Sequence, residues 1–366
     1  MRIKHILAVL LMRFLQLFPI KKNKVFFSSY QGTNYNSYPR EISEKLHDCG
    51  DFEIVWNLNK NVDAPSYIRK VRPESIRELF EIATSSVWVD NCRKNFWIRK
   101  KRKQLYIQTW HGPVCIKAVE ADANLNDYYI KKAKNDSKMA DYILSQCEWR
   151  TKNIKQSFWY EGNIIKGDTN KFSDDQIEDA KKSVFEFYGL EKDIRIILYA
   201  PTFRNGNDST PYNIDFSKLK QSIERKFGGK WIILFRLHPN IPYKPALTDG
   251  VMDGGLYQDM DQLIAACGVL VTDYSGCMFD GFKLRKIVFL YASDYQKYIT
   301  KERTLYFDLT KFPATLAINN EQLVQAINDL SIEKYLENVD RLNNSLGYYS
   351  KDGIEEIVSI IKRRTI

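Results

Sequence analysis

The sequence predicts an α/β protein built from two Rossmann-like domains that face each other across a cleft. Short apolar runs rich in β-branched and aromatic residues alternate with amphipathic stretches along almost the whole chain. That alternation is the pattern of a parallel sheet covered by helices on both faces. It occurs in two series, separated by the polar stretch Gly167–Asp175. The 366 residues, 44% of them hydrophobic, suffice for two cores of ordinary domain size and exclude a fibrous or disordered chain.

The first series gives strands at Val25–Ser29, Phe52–Leu58, Val87–Val89, Leu105–Thr109 and Tyr142–Leu144. Helices are expected at Pro39–Cys49, Pro73–Thr84 and Glu148–Phe158, the first with Ser37 or Tyr38 near its cap and Pro39 in its first turn. After the boundary comes a helix at Gln176–Tyr188, then strands at Ile194–Tyr199, Trp231–Arg236, Val269–Thr272 and Ile287–Leu290. Helices Phe216–Phe227, Asp259–Ala266, Cys277–Lys283 and Glu321–Leu330 fall between or after them. Two closing helices, Ile332–Asn343 and Asp352–Arg364, have no strand after them and are expected to pack back. The expected division is 1–22, a membrane-associating helix; 23–170, the first domain; and 171–366, the second.

Ile3–Ile20 is apolar around Lys4, His5, Arg13 and Gln16. Arg13 interrupts a run that a spanning helix needs at about 20 residues. Phe18-Pro19-Ile20-Lys21-Lys22 offers no small-residue cleavage pattern of a secretory signal. The expectation is a peripheral helix on the cytoplasmic face of the membrane, with Lys21, Lys22 and Lys24 at the headgroups. A helix docked on the protein's own core is the alternative.

The net charge of +10 and a pI of about 9.0 favour polyanionic partners. The run Arg99-Lys100-Lys101-Arg102-Lys103, following Phe96 and Trp97, is assigned to an anionic membrane surface or a lipid-pyrophosphate acceptor. Nucleic acid and a plain solvated face are its alternatives. Lys131, Lys132, Lys134 and Lys138 read as a solvated helix face; Tyr128, Tyr129, Trp149 and Trp159 read as core or cleft wall. Six cysteines form no C-x-x-C pair, and only the loose His111/Cys115 spacing approaches a ligand pair. Neither a disulfide framework nor a structural zinc is expected, and the compartment reads as cytosolic. The absence of G-x-x-x-x-G-K-[ST] and of G-x-G-x-x-G argues against ATPase and dehydrogenase activity.

Chemistry concentrates at the strand ends. Of only four histidines, His111 and His238 directly follow predicted strands, and each precedes a backbone-bending residue, Gly112-Pro113 or Pro239. Imidazole is the side chain best suited to proton transfer near neutral pH. Thr202 and Arg204 end one strand of the second series, Arg236 another. Thr272-Asp273-Tyr274-Ser275-Gly276 ends a third and runs into a helix, whose free N–H groups favour an anion. Arg204 and His238 alongside would neutralise a pyrophosphate. Asp273 is the discordant charge, fitting a metal ligand, a hydroxyl acceptor or a helix cap.

Gln108-Thr109-Trp110-His111-Gly112-Pro113, Leu198–Arg204, Arg236-Leu237-His238-Pro239 and Val271–Gly276 occur in the order seen in the CDP-glycerol glycerophosphotransferase family. Phe26–Gly32, Phe279-Asp280, Asp294, Tyr306-Phe307-Asp308 and Asp352-Gly353 agree, so the chain resembles that family of teichoic-acid and capsule enzymes over nearly its whole length. The resemblance implies the glycosyltransferase-B fold, with a CDP-polyol on the second domain and the acceptor on the first. It implies that the acceptor hydroxyl attacks the phosphorus bearing the polyol and that CMP leaves, without a cofactor. His111 matches the general base, and His238 a histidine touching the donor pyrophosphate. Thr202, Arg204, Arg236, Thr272, Asp273, Ser275 and Gly276 fall at donor positions, with Asp273 also grouped among the catalytic residues. Trp110, Gly112 and the 99–103 run are assigned to the acceptor or membrane side. The chain departs from the family pattern at Pro113, at Gly167–Phe172, at Gly276 and at Glu302-Arg303-Thr304. CDP-glycerol is the expected donor, with CDP-ribitol, a nucleotide-sugar glycosyltransferase and a basic RNA-binding module as alternatives.

Overall fold

The computed structural model describes residues 2–169, 172–204, 212–237 and 249–365. The chain forms two compact units. Unit 1 comprises Met1–Pro113, Glu120–Asn170 and Gly347–Ile366; unit 2 comprises Val114–Val119 and Lys171–Leu346.

Unit 1 is built on a seven-stranded parallel sheet of β1 (Lys21–Ser28), β2 (Glu53–Asn57), β3 (Arg69–Val71), β4 (Ser85–Asp90), β5 (Leu105–Gln108), β6 (Tyr142–Ser145) and β7 (Asn163–Lys166). The order is β3-β2-β1-β4-β5-β6-β7. Winding reverses between β1 and β4, so their outgoing loops diverge and leave a crevice at the strand carboxyl ends. Strands covered on both faces read as continuous apolar runs, as in Val25-Phe26-Phe27 and Ile54-Val55-Trp56, all buried. Phe27 and Trp56 stack at 5.5 Å. Tyr38, Ile42 and Leu46 of α2 (Ser37–Asp48) join Ile354, Ile357, Val358 and Ile361 of α13 (Gly353–Thr365) in the same core.

Helix α1 (Arg2–Leu15) packs on α3 (Ile76–Thr84). Met12 and Leu15 are buried, and Phe18 meets Phe80 edge-on at 5.4 Å. Ile6, Leu7, Leu10, Phe14 and Leu17 stay exposed. One face therefore docks on the protein while an apolar face remains uncovered. Strand β1 starts at Lys21, so the expected boundary at 22 falls inside a strand. Lys24 does not reach outward as expected: it is buried, and its Nζ donates to Glu81 Oε2 at 2.7 Å and to Thr84 Oγ1. Among the described residues no helix is long and apolar enough to cross a membrane.

Unit 2 repeats the plan with β8 (Ile194–Ala200), β9 (Lys230–Phe235), β10 (Val251–Asp253), β11 (Val269–Thr272), β12 (Ile287–Tyr291) and β13 (Leu316–Ala317), in the parallel order β10-β9-β8-β11-β12-β13. Helix α6 (Asp174–Tyr188) leads in, started by a Ser173/Gln176 capping box and stopped by Gly189 at φ +63°. Leu219 and Ile223 of α7 (Phe216–Phe227) and Leu323 and Ile327 of α11 (Asn320–Asp329) cover one face of the sheet.

Two segments depart from the expected division. Val114–Val119 belongs to unit 2 because it pairs with the segment around Leu305: Ala118 N–H donates to Thr304 O and Tyr306 N–H to Ile116 O, both at 2.9 Å. Gly347 onward belongs to unit 1, whereas α12 (Ile332–Leu346) stays in unit 2, where the Tyr335 hydroxyl bonds β12 at Val288 N. The return to unit 1 depends on backbone approaching backbone. A Cβ on Gly353 would lie 2.5 Å from Gly167 O and 2.8 Å from Leu144 Cδ1. Gly353→Ala is accordingly expected to cost about 1–3 kcal/mol, read as a lower urea midpoint at unchanged slope.

Candidate active site

In unit 1, Ser28, Asp90 and Gln108 lie in one row across β1, β4 and β5. Ser29, Asn91 and Thr109 therefore follow at the carboxyl edge. Thr109 N–H donates to Asp90 O at 2.9 Å, carrying the pairing one residue past the strand. The chain then turns sharply: Trp110 has φ +55° and Gly112 φ +79°. A bulky residue in the left-handed region is strained by about 1–3 kcal/mol and persists only where its surroundings over-determine it. Here Gln108 Oε1 accepts from Trp110 N–H at 2.9 Å, and Phe158 meets the indole edge-on at 4.7 Å. The Arg93 guanidinium lies 5.4 Å from the indole ring, itself held by Glu120 at 2.7 Å and Asp136 at 3.1 Å. Buried Arg150 donates to Gly112 O and Pro113 O, each at 3.2 Å, and fixes the exit of the turn.

The turn aims a half-buried His111. Its Nδ1 lies 3.0 Å from Asn91 O. A carbonyl can only accept, so Nδ1 carries the hydrogen and Nε2 keeps its lone pair. Burial lowers the imidazole pKa below its ordinary 6.5; the Asn91 carbonyl works against this and the Arg150 charge with it. The ring is therefore neutral at pH 7 and competent as a base. Trp110, assigned to the acceptor or membrane side, is buried and stacks on this imidazole at 4.7 Å. Gly112 supplies the turn.

In unit 2, the carboxyl ends of β8 and β11 flank the winding reversal and bring Thr202, Arg204 and Asp273 together. Asp273 accepts Thr202 N–H at 2.9 and 3.0 Å, the Thr202 hydroxyl, Tyr274 N–H at 2.6 Å and Arg204 Nη2 at 2.8 Å. Arg204 also donates to Asp294 at 2.7 and 3.1 Å, and its guanidinium lies 4.8 Å from the Tyr274 ring and 4.9 Å from Tyr298. Burial alone would lower its pKa; the two carboxylates outweigh burial and hold it above the ordinary range. The cation expected to neutralise a pyrophosphate and the discordant anion thus meet as a buried pair that ties β8 to β11.

Other expected donor residues are also committed internally. The Thr272 hydroxyl donates to Ala200 O at 2.7 Å. Arg236 donates to Gly254 O at 2.8 Å, to Tyr257 O and to Gln258 O at 3.2 Å, bracing that loop. Ser275 is half-buried, and its Oγ accepts Cys277 N–H at 3.4 Å at the start of α9 (Cys277–Lys283). A Cβ on Gly276 would lie 3.3 Å from Val114 O, so the absent side chain leaves room for the Val114–Val119 segment. His238 and Pro239 lie outside the described residues.

Sequence reasoning missed Lys117, which forms an isolated antiparallel bridge with Leu305. Burial pulls its pKa down to about 8; Asp273 raises it, and Arg303 and Arg204 lower it. Its signal in the sequence is a single cation inside the apolar run Val114–Ala118. The lining of an open pocket of about 600 Å³ beside Asp294 includes the hydrogen-bonding side chains of Asn213, Ser293, Asn319 and Asn320, together with Lys297, Glu321 and the apolar Ile318. Among the described residues no three His, Cys, Asp or Glu side chains are grouped to share a cation, and all six cysteines are free of disulfides.

The basic run divides. Lys100 turns onto Asp141 at 3.0 Å and Lys101 onto Phe18 O, while Arg99, Arg102 and Lys103 are exposed. Of the aromatics read as core or wall, Tyr128 is exposed on the surface beside Phe96 (5.6 Å), and Tyr129 bonds Glu120 Oε1 at 2.8 Å.

The chain matches the family model of CDP-glycerol:poly(glycerophosphate) glycerophosphotransferase over residues 10–356. It is 27% identical to the teichoic acid poly(glycerol phosphate) polymerase of Bacillus spizizenii, over 94% of this chain and 93% of that one. A teichoic acid poly(ribitol-phosphate) polymerase of the same organism is also 27% identical, over 92% of this chain but only 55% of its own length. Among solved structures, a variant of the wall teichoic acid polymerase TagF soaked with CDPG superimposes with a TM-score of 0.84. The match covers 100% of this chain and 97% of that one at 22% identity, a likeness of fold. That fold is the glycosyltransferase-B type.

Two outcomes follow from the geometry. Asp273→Ala leaves a buried cation short of a partner and is expected to cost about 3–5 kcal/mol in denaturant unfolding. If Lys117 meets substrate as a cation, the KM for an anionic substrate should rise as pH passes about 8, and Lys117→Met should remove that limb.

Proposed function

The chain belongs to the CDP-glycerol:poly(glycerophosphate) glycerophosphotransferase family, and from that premise we propose that it transfers glycerol phosphate from CDP-glycerol to a hydroxyl of a lipid-linked teichoic-acid or capsular acceptor. Membership makes it a CDP-glycerol glycerophosphotransferase; the acceptor and the residue roles are our reading. The observation that carries it is His111, neutral, with Nε2 free and its tautomer fixed.

In this reading His111 Nε2 takes the proton of the acceptor hydroxyl. The oxygen attacks the phosphorus that bears glycerol, and the bond from that phosphorus to the bridging oxygen breaks. CMP leaves with that oxygen. Phosphoryl transfer depends mainly on positioning and charge stabilisation. Lys117, charged below about pH 8, supplies a cation for the developing charge. The Arg204–Asp273–Asp294 group holds the strand ends that carry Thr202 and Ser275. Beside it, the pocket at Asp294 offers room and polar groups for the nucleoside. His238 keeps the pyrophosphate role implied by its motif. CDP-ribitol is the second reading, favoured by the equal identity to a ribitol-phosphate polymerase.

The exposed apolar face of α1, with Arg99, Arg102 and Lys103, supports peripheral binding to an anionic cytoplasmic leaflet. No nucleic-acid partner is proposed.

His111→Ala is expected to lower turnover of labelled CDP-glycerol by about 10²–10⁴-fold with an unchanged circular-dichroism spectrum. Transfer from a UDP-sugar but from neither CDP-polyol overturns the reading. Leu7→Glu with Leu10→Glu, at exposed positions, should release the protein from vesicles containing anionic lipid; undiminished binding assigns α1 a purely structural role.

A further inference from the structure

Asn91 is fully buried one residue past β4 and makes three contacts that differ in kind. Its backbone carbonyl accepts from His111 Nδ1 at 3.0 Å. Its side-chain Oδ1 accepts Tyr30 N–H at 2.8 Å, and its Nδ2 donates to Ser29 Oγ at 3.0 Å. The Ser29 hydroxyl in turn donates to Asn36 Oδ1 at 3.2 Å, at the start of α2. The side chain thus grips the loop leaving β1, while the carbonyl sets the imidazole.

That loop needs gripping. Tyr30 and Gln31 have φ +46° and +56°, two successive non-glycine residues in the left-handed region. Such residues relax unless their surroundings hold them. The Tyr30 ring lies 5.7 Å from the His111 ring, so relaxation of the loop would be felt at the imidazole. The Asn91 peptide is braced from its other side as well. Asp90 Oδ1 accepts Cys92 N–H at 2.9 Å, and Lys94 holds the same carboxylate at 2.7 Å.

We propose that Asn91 is the positioning residue of this enzyme, fixing the His111 tautomer through its carbonyl and the acceptor-side loop Ser29–Gln31 through its side chain. It touches no reacting atom; its effect reaches the reaction through His111. The proposal rests on His111 acting as base, and its test is separable from the identity of the substrate.

The test uses the full chain labelled with ¹⁵N-histidine, compared as wild type, N91A and N91D. The wild-type His111 ring should show an Nδ1–H, Nε2-unprotonated pattern; N91A keeps the backbone carbonyl but releases the Ser29–Gln31 loop beside the imidazole, so the ring should leave that carbonyl part of the time and show a mixture of tautomers. With CDP-glycerol and a polyol-phosphate acceptor, N91A should lose on the order of 10²-fold in kcat, while KM for the donor stays within about twofold, since the change misplaces a base rather than a binding group. In N91D the carboxylate still accepts Tyr30 N–H, so the single tautomer should return. Arg150 is the charge that bears on the wild-type imidazole. The added carboxylate opposes it, and the acid limb of kcat should move to higher pH. An N91A ring pattern identical to wild type overturns the proposal. If N91A does not fold, an N91D acid limb unmoved from wild type overturns it. A wild type inactive with CDP-glycerol whose tautomer still depends on Asn91 sinks the donor assignment and leaves the positioning role standing.

Discussion

A parallel strand can be followed by another only through a crossover, and that constraint decides where this chain places its chemistry. Every carboxyl end in a sheet lies on one edge, and every outgoing loop must leave from it. Where winding changes direction, between β1 and β4 and again between β8 and β11, neighbouring loops part. Asn91 and His111 stand beside the first parting, Thr202 and Asp273 beside the second. The polar strand ends that look scattered along the sequence are collected by topology before any side chain interacts.

Holding those ends costs the fold buried charge. Arg93 with Glu120 and Asp136, Lys94 with Asp90, and Arg204 with Asp273 and Asp294 are all withdrawn from water. Such groups seldom add net stability over well-packed apolar side chains, because desolvation consumes the Coulomb gain. Their value here is geometric. A charged hydrogen bond tolerates little misalignment, so each group fixes a strained or diverging loop more tightly than packing would. Arg93 steadies an indole at positive φ; Arg204 spans three segments far apart in sequence.

The central strands and most helices were legible, because a strand buried on both faces must be written as an unbroken apolar run. Strands β3, β7, β10 and β13 were not. Each is a sheet edge of two to four residues, too short to show a period. The motif positions were legible as strand ends, but their engagements were not. Composition cannot reveal that Arg204 and Asp273 answer each other, or that Thr272 and Arg236 serve backbone carbonyls. Asn91 carried the same signal as Thr202, a polar residue just past an apolar strand, and was hidden by its ordinariness beside a histidine. The exchange of Val114–Val119 and of the C-terminal helix between units depends on backbone pairing and a glycine contact, neither of which leaves a pattern in hydrophobicity.

Those unreadable edge strands have a consequence for the protein in solution. An open sheet margin is a template for another chain's backbone, and long flat apolar margins invite fibrils and strand exchange. Here β3 presents Arg69 and Lys70, β7 is bounded by Asn163 and Lys166, and β10 and β13 are only three and two residues long. A second molecule finds little ladder to extend on either sheet. Self-association through these margins is disfavoured, which steers any assembly of the chain toward its helical faces.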